Sequence, residues 1–495
     1  MAKKSQVWGG RLTTAPDKLN ISFCAGRDVN PLPMADELLL TYDIWTNLAH
    51  ISMLRKTEIL SDEEHGQIKA ALIQLQQQFE QGEFKLDPSK EDVHINVEHF
   101  VTTTQKVEAG KKIHTGRSRN DQVSTDMRLY MRAEALELVG QVMTLVRAIL
   151  QVAEQEKESL MPGFTHYQPA MLTTVAHWLT SWSQGLIRDC QRLLQDLVLL
   201  NRSPLGAAAS FGTSWPIDRE HSAALLGFDG VEENTLDCIS SRGENEARLA
   251  STVSLLMNHL STISQDIILL STPYYNMLVI DDRFVTGSSI MPQKRNPDFA
   301  EVIRSKAAVS HGILTSLLGI QKGSMSGYNR DTQQTKYLVM DLFRESMGAP
   351  LILAGVIETM TFQREEMLKQ CEFGFMNSAD VADWLAREFA LSFRDCYELL
   401  SLAVRYSEKA GKLTDEAMAQ AIQETGLPVE ITSENLAFLN TPAAMLDKKV
   451  HTGAPSPVAT QQMIENQQHE LEKLAAQQQQ IEAQAEAAKK QCFQS

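Results

Sequence analysis

Twelve consecutive residues, Gly287-Ser288-Ser289-Ile290-Met291-Pro292-Gln293-Lys294-Arg295-Asn296-Pro297-Asp298, place hydroxyls, a lysine and a helix start side by side. Gly287 lets the loop bend, and Ser288 and Ser289 offer hydroxyls and backbone N–H groups. Asn296-Pro297-Asp298 reads as a helix N-cap, a proline at the first helical position and an acid in the first turn. A positive helix end beside Lys294 suits a carboxylate or a developing oxyanion. A glycine-rich linker in front of a capped helix is the plainer reading, and Lys294 and Asn296 crowding the serines disfavour it.

Three further segments carry polar groups in tight arrays. His114-Thr115-Gly116-Arg117-Ser118-Arg119-Asn120-Asp121 reads either as an arginine clamp for carboxylates or as a solvated basic turn with Asn120 or Asp121 capping a helix. Thr165-His166-Tyr167-Gln168-Pro169-Ala170 sets a histidine in a tight link, either a surface residue or a proton carrier near neutral pH. In Tyr328-Asn329-Arg330-Asp331-Thr332-Gln333-Gln334-Thr335-Lys336, Asp331 and Gln334 have capping-box spacing, and Gln333 and Lys336 share a helical face. Taken alone, that last segment is an ordinary polar helix start.

Other chemistries lack their motifs. The twelve histidines include no His-Glu-x-x-His or Cys/His cluster, so no metal is expected. No Gly-x-Gly-x-x-Gly after a strand and no Walker loop appear, so no nucleotide cofactor is expected. The net charge of −16 argues against nucleic acid as a partner, while leaving room for a local basic pocket. Six scattered cysteines, without a Cys-x-x-Cys pair, fit a reducing compartment. The opening MAKKSQVWGG has no signal-like apolar run, and no segment reaches about 20 uninterrupted apolar residues. A soluble, cytoplasmic protein with no membrane partner is the expectation.

Long helices must carry these segments. With 43% hydrophobic and 22% charged residues, 495 residues are enough for a large core or several domains. Apolar residues recur at helical spacing from Asp121 to Leu160, which predicts a helix of roughly 40 residues and about 60 Å. Comparable patterns cover about 170 to 201, 243 to 272, 298 to 320 and 331 to 362. Five long helices with little strand pattern predict an all-α fold around an extended bundle. Apolar content on more than one face predicts a homo-oligomer. The expected divisions are a mainly helical N-terminal domain over 1–114, the central bundle over 115–362 and a small helical domain over 363–455. Residues 456–495, rich in Gln, Ala and Glu, read as a solvated terminal helix or frayed tail.

The serine loop resembles the signature of the aspartase/fumarase superfamily, whose members eliminate an amine or water to release fumarate. Within it, the sequence most resembles the argininosuccinate lyases. EDVHINVE (91–98), HTGRSRNDQV (114–123), MPGFTHYQPA (161–170), GSSIMPQKRNPD (287–298) and YNRDTQQTK (328–336) match in the same order, and the similarity runs from Trp8 to about residue 460. The resemblance implies three mainly helical domains and a central five-helix bundle. It also implies a twenty-helix core in a homotetramer, with active sites shared by three chains. The implied reaction is reversible cleavage of argininosuccinate to arginine and fumarate, the last step of arginine biosynthesis, without a cofactor.

Carried over by position, Ser288 matches the general base, His166 the general acid or its relay, and Glu301 the carboxylate partner of that histidine. Lys294 and Asn296 would stabilise the aci-carboxylate. Ser118, Arg119, Asn120 and Thr165 match substrate-binding positions, and Tyr328, Gln333 and Lys336 those that hold the arginine-bearing portion. One departure stands out: if Asp36 aligns with the family's Ser-x-x-x-Asp aspartate, Leu32 occupies the serine position. Two alternatives remain, a related C–N lyase acting on another N-substituted aspartate and a crystallin-like structural protein.

Overall fold

The computed structural model describes residues 17–30 and 32–494. MAKKSQVWGG, including Trp8 where the resemblance begins, and Pro31 lie outside the described residues. The long helices form where the periodicity places them, at Arg119–Gln155, Val175–Leu200, Glu244–Leu270 and Asp298–Gln321. Each packs against at least one of the others along its length. The fold is all-α, with only two two-stranded sheets among the described residues.

Arg119–Gln155 and Glu244–Leu270 are long and apolar enough by composition to cross a membrane. Their most apolar windows are 67% and 50% buried inside the chain, as expected for core helices of a bundle.

The fifth helix departs from expectation. Residues 331 to 362 form two helices, Gln333–Ser346 and Ala349–Thr359, rather than one. Gly348 breaks the run at φ +81°, a conformation costly for a residue with a Cβ, and its N–H donates to Gln141 Oε1 at 2.9 Å. Pro350 then opens the second helix, where its missing N–H is no loss.

A hairpin joins the first two long helices. Leu160–Thr165 pairs antiparallel with Gln168–Thr174, and Thr165 faces Gln168 at the turn. His166 and Tyr167 are both held at positive φ, 52° and 60°, the two-residue turn geometry that matches strand twist.

Before the bundle, Leu40–Lys56 is a nearly all-round buried helix, with Ile44, Leu48, Ile51 and Leu54 fully enclosed. After it, Val381, Leu385, Cys396, Leu399 and Leu439 form a separate small core, which the hairpin's Leu172 joins.

The glutamine-rich end is not a solvated tail. Pro457–Gln494 is one helix of 38 residues, packed against Leu40–Lys56, Arg119–Gln155 and Val175–Leu200. Ile464, Leu471, Leu474, Ala488 and Cys492 are buried. Gln467, 4% exposed, has its amide satisfied by the Ser183 hydroxyl and the Thr180 carbonyl. The buried positions 464, 467, 471, 474, 488 and 492 keep a three-and-four spacing that the glutamines conceal.

Candidate functional site

The largest concentration of sequence-selected residues surrounds a cleft of about 620 Å³. Ser118, Arg119, Asn120, Tyr328, Gln333 and Lys336 all line it, although more than two hundred positions separate Asn120 from Tyr328. The first three are placed by the start of Arg119–Gln155. The cap is Ser118, not Asn120 or Asp121: its Oγ accepts from Asn120 N–H at 3.2 Å, and Asp121 answers by accepting from Ser118 N–H at 2.9 Å. Asp121's other oxygen accepts from Gly206 and Ala208 N–H, both at 2.8 Å, and so fixes a second loop to the same helix end. Burial nevertheless pushes the Asp121 carboxyl up to about 6.

On the far wall, Tyr328 N–H donates to Ser210 Oγ at 3.1 Å and Gly327 N–H to Ser240 Oγ at 2.8 Å. The expected Asp331–Gln334 capping box does not form. Residues Arg330–Thr332 make a tighter 3₁₀ turn that runs straight into Gln333–Ser346, with no side-chain cap. Gln333 and Lys336 do share a face. Gln333 donates to Tyr337 Oη at 3.2 Å, and Lys336 is ion-paired with Asp36.

Several lining residues were given no role by the sequence: Glu91, Asp92, His94, Arg242 and Arg330. Asp92 caps Val93–His99 and accepts from Arg119 at 2.9 Å. Glu91 sits at φ +67°, ψ −59°, an uncommon and strained turn geometry for a residue with a side chain. The EDVHINVE segment pointed to Glu91, Asp92 and His94, and the Tyr328–Lys336 segment to Arg330.

Beneath the cleft lies a buried polar network. His94 Nδ1 is 2.7 Å from Asp43 Oδ1, which also accepts from Gln122 at 2.5 Å, while Thr46 donates to Asp126 at 2.6 Å. Asp43, His94 and Asp126 each present a ligand atom within 4.8 Å of the others, a spacing that could hold a metal ion. The neighbouring Arg117 charge and these internal hydrogen bonds instead fit a proton-sharing network. Although burial opposes it, His94 and Arg117 hold the Asp43 carboxyl below its ordinary value. Burial and the Asp43 charge push Asp126 well above its own.

Ser288, Lys294, Asn296 and Glu301 lie elsewhere. Thr286 and Asn296 form a two-hydrogen-bond bridge, at 3.0 and 2.8 Å, that pinches the base of the serine loop. Asn296 is therefore part of the loop's neck and not the N-cap. Pro297 holds the cap position without a side-chain bond, and Asn296 Nδ2 donates to Gly287 O at 3.4 Å. Ser288 Oγ accepts from Ile290 and Met291 N–H at 3.3 and 3.2 Å. Such donors favour a negative oxygen, which is what a serine base needs. Ile290 is 82% exposed at the loop's tip, and Lys294 and Glu301 also face solvent.

Thr165 and His166 form a third group, exposed at the hairpin turn. Among the described residues no hydrogen bond or ion pair joins His166 to Ser288 or Glu301 within the chain. One chain thus presents three separated fragments: a cleft of substrate-binding type, a serine loop at a helix start, and a histidine on a rigid turn.

Comparison with known proteins bears on all three fragments. Residues 36–312 match a family model described as "Lyase", and residues 375–445 one described as "Argininosuccinate lyase C-terminal". The argininosuccinate lyase of Alkalilimnicola ehrlichii is 38% identical over 453 residues, covering 91% of this chain and 94% of its own. That of Alcanivorax borkumensis is 38% identical over 456 residues, covering 92% and 96%. Among solved structures, an EDDS lyase variant with bound fumarate superposes with a TM-score of 0.88 at 25% identity, covering 98% of this chain and 96% of that one.

Proposed function

The chain belongs to the argininosuccinate lyase family, and we propose that it catalyses the reversible β-elimination of argininosuccinate to L-arginine and fumarate. The observation that carries the reading is the joint placement of Ser118, Arg119, Asn120, Tyr328, Gln333 and Lys336 around one cleft. Groups suited to proton transfer stand on two other parts of the surface.

The chemistry follows from these groups. Ser288 removes the proton from the carbon beside a carboxylate. That proton is weakly acidic, so donors must meet the charge as it develops, and Lys294, Asn296 and the uncapped start of Asp298–Gln321 supply them. His166, oriented by Glu301, protonates the departing nitrogen. The serine loop, hinged at the Thr286–Asn296 bridge, closes to exclude water.

Because one chain holds these fragments apart, assembly completes the site. We assign it a homotetramer in which three chains contribute to each active site, operating in the cytoplasm as a step of arginine biosynthesis. All six cysteines are free thiols, which supports a reducing compartment.

Adding argininosuccinate to the purified protein and following fumarate by ultraviolet absorbance tests the reaction. A folded oligomer that releases no fumarate would overturn it. A related C–N lyase acting on another N-substituted aspartate is the second reading, favoured by Leu32, which is 48% exposed and brings no hydroxyl. Faster turnover of adenylosuccinate or another aminodicarboxylate would select that reading.

A further inference from the structure

Residues 206–212 run as a compact strap from the helix start under one wall of the cleft to the other wall. At its beginning Gly206 and Ala208 N–H both donate to Asp121 Oδ2 at 2.8 Å, and near its end Ser210 Oγ accepts from Tyr328 N–H at 3.1 Å. The strap is tightly turned: Ala207 O accepts from Ser210 N–H at 3.2 Å and from Gly212 N–H at 3.1 Å. Behind it, Arg219 Nε donates to Leu205 O at 2.9 Å, and a Cβ at Gly206 would lie only 2.8 Å from Arg219 Cγ.

This path is costly for its sequence. Ala208 and Ser210 stand at φ +55° and +110°, conformations that side-chain-bearing residues rarely adopt and that persist only where the surroundings over-determine them. Asp121 supplies that constraint. Fully buried, its carboxylate accepts from Ser118, Gly206 and Ala208 N–H, so the strap's donors form a concave nest around an anion that the chain itself provides. Ser118 opens the wall that continues into Arg119 and Asn120, and Tyr328 opens the wall that continues into Gln333 and Lys336. One carboxylate therefore fixes the first wall directly and the second through Ser210. Among the described residues, those lining the cleft include neither Asp121 nor Ser210.

We propose that Asp121 and Ser210 are positioning residues: acting through the strap, they set the width of the cleft and hold Tyr328 where it receives the arginine-bearing portion of the substrate. The inference rests on the lyase reading and deepens it, because it names what spaces two walls that lie far apart in sequence. A wall displaced by a fraction of an ångström weakens binding of the portion it holds and leaves the proton-transfer groups of the serine loop and the hairpin untouched.

The test is steady-state kinetics of the reverse reaction with the full-length wild type, S210A, D121N and the double variant, alongside their melting temperatures. S210A leaves Tyr328 N–H without its acceptor and should raise KM for arginine about 5- to 10-fold, with kcat and KM for fumarate within about 2-fold of wild type. D121N turns one carboxylate oxygen into a donor facing backbone donors, and should raise KM for arginine at least as much. Because both act through one strap, the double variant should be no worse than D121N alone, whereas independent sites would multiply. A strap that merely stabilises the fold would lower the melting temperature of S210A and leave its KM for arginine unchanged, and that result overturns the proposal. Equal rises in both KM values, or multiplied effects in the double variant, also overturn it. Should D121N fail to fold, S210A decides alone. A wild type that forms no argininosuccinate from arginine and fumarate removes the lyase reading and this inference with it. An active wild type with an indifferent S210A removes only the inference.

Discussion

Asp36 and Lys336, 300 positions apart in the chain, meet in an ion pair on the cleft wall, each side chain 11% exposed. Asp36 also accepts from Val93 N–H at 3.0 Å, so one carboxylate ties the 3₁₀ turn Ala35–Leu38, the helix start at Val93 and the helix Gln333–Ser346 together. Replacing Asp36 by Asn should keep an acceptor for Val93 but strand the lysine charge, costing about 3 kcal/mol. Urea unfolding measures it; a cost under about 1 kcal/mol would show that solvent, not Asp36, satisfies Lys336.

Ser288 should be dispensable for folding and indispensable for turnover. S288A removes the proposed base from an exposed loop and should lower kcat by about 10³-fold or more, with an unchanged far-ultraviolet circular dichroism spectrum. If three chains share each site, refolding inactive S288A together with inactive H166N should restore a fraction of the activity, because some sites then receive both intact residues. Mixtures as inactive as either parent would mean that each site is built within a single chain.

Acid should weaken the fold partly through His114. Burial, reinforced by the Arg117 charge, lowers its pKa from 6.5 to about 3, despite Glu98 at 3.2 Å. The folded chain keeps this ring neutral while the unfolded chain protonates it, so the unfolded state binds more protons between those values. Its contribution is fully present above about 6.5 and is lost as pH falls toward about 3. H114Q should flatten the fall in urea-unfolding free energy between neutral and acid pH by on the order of 2 kcal/mol. An unaltered slope would place the acid sensitivity in the buried His50 or in His65, both also held below 6.5.

The terminal helix should behave as core. Leu474 is 6% exposed against the bundle, so L474A should cost about 2–4 kcal/mol in urea unfolding. A neutral result would return the segment to the solvated tail that its composition suggests.

The bundle helices were legible because buried faces repeat at helical spacing, and that signal is local. The cleft segments stood out by residue type, but that they belong to one site was legible only through resemblance, since nothing local tells Tyr328 that Ser210 will hold its N–H. The hairpin was missed because its existence depends on pairing between Leu160 and Thr174, a tertiary fact. Asn296 had the right type for a cap but spends its amide on Gly287, because the bridge to Thr286 sets its backbone first. Arg242 belongs to no motif, and its place on the cleft wall appears only once the fold is known.

The last helix has a consequence for how the protein is made. Its far end reaches Leu40–Lys56, where Lys489 lies 5.9 Å from the Trp45 ring and Cys492 packs against the backbone beside it. Trp45 leaves the ribosome 447 residues ahead of Cys492. Until that helix has been made, the early face stays uncovered, so a nascent chain stalled before about residue 480 should still offer Trp45 to solvent and to chaperones.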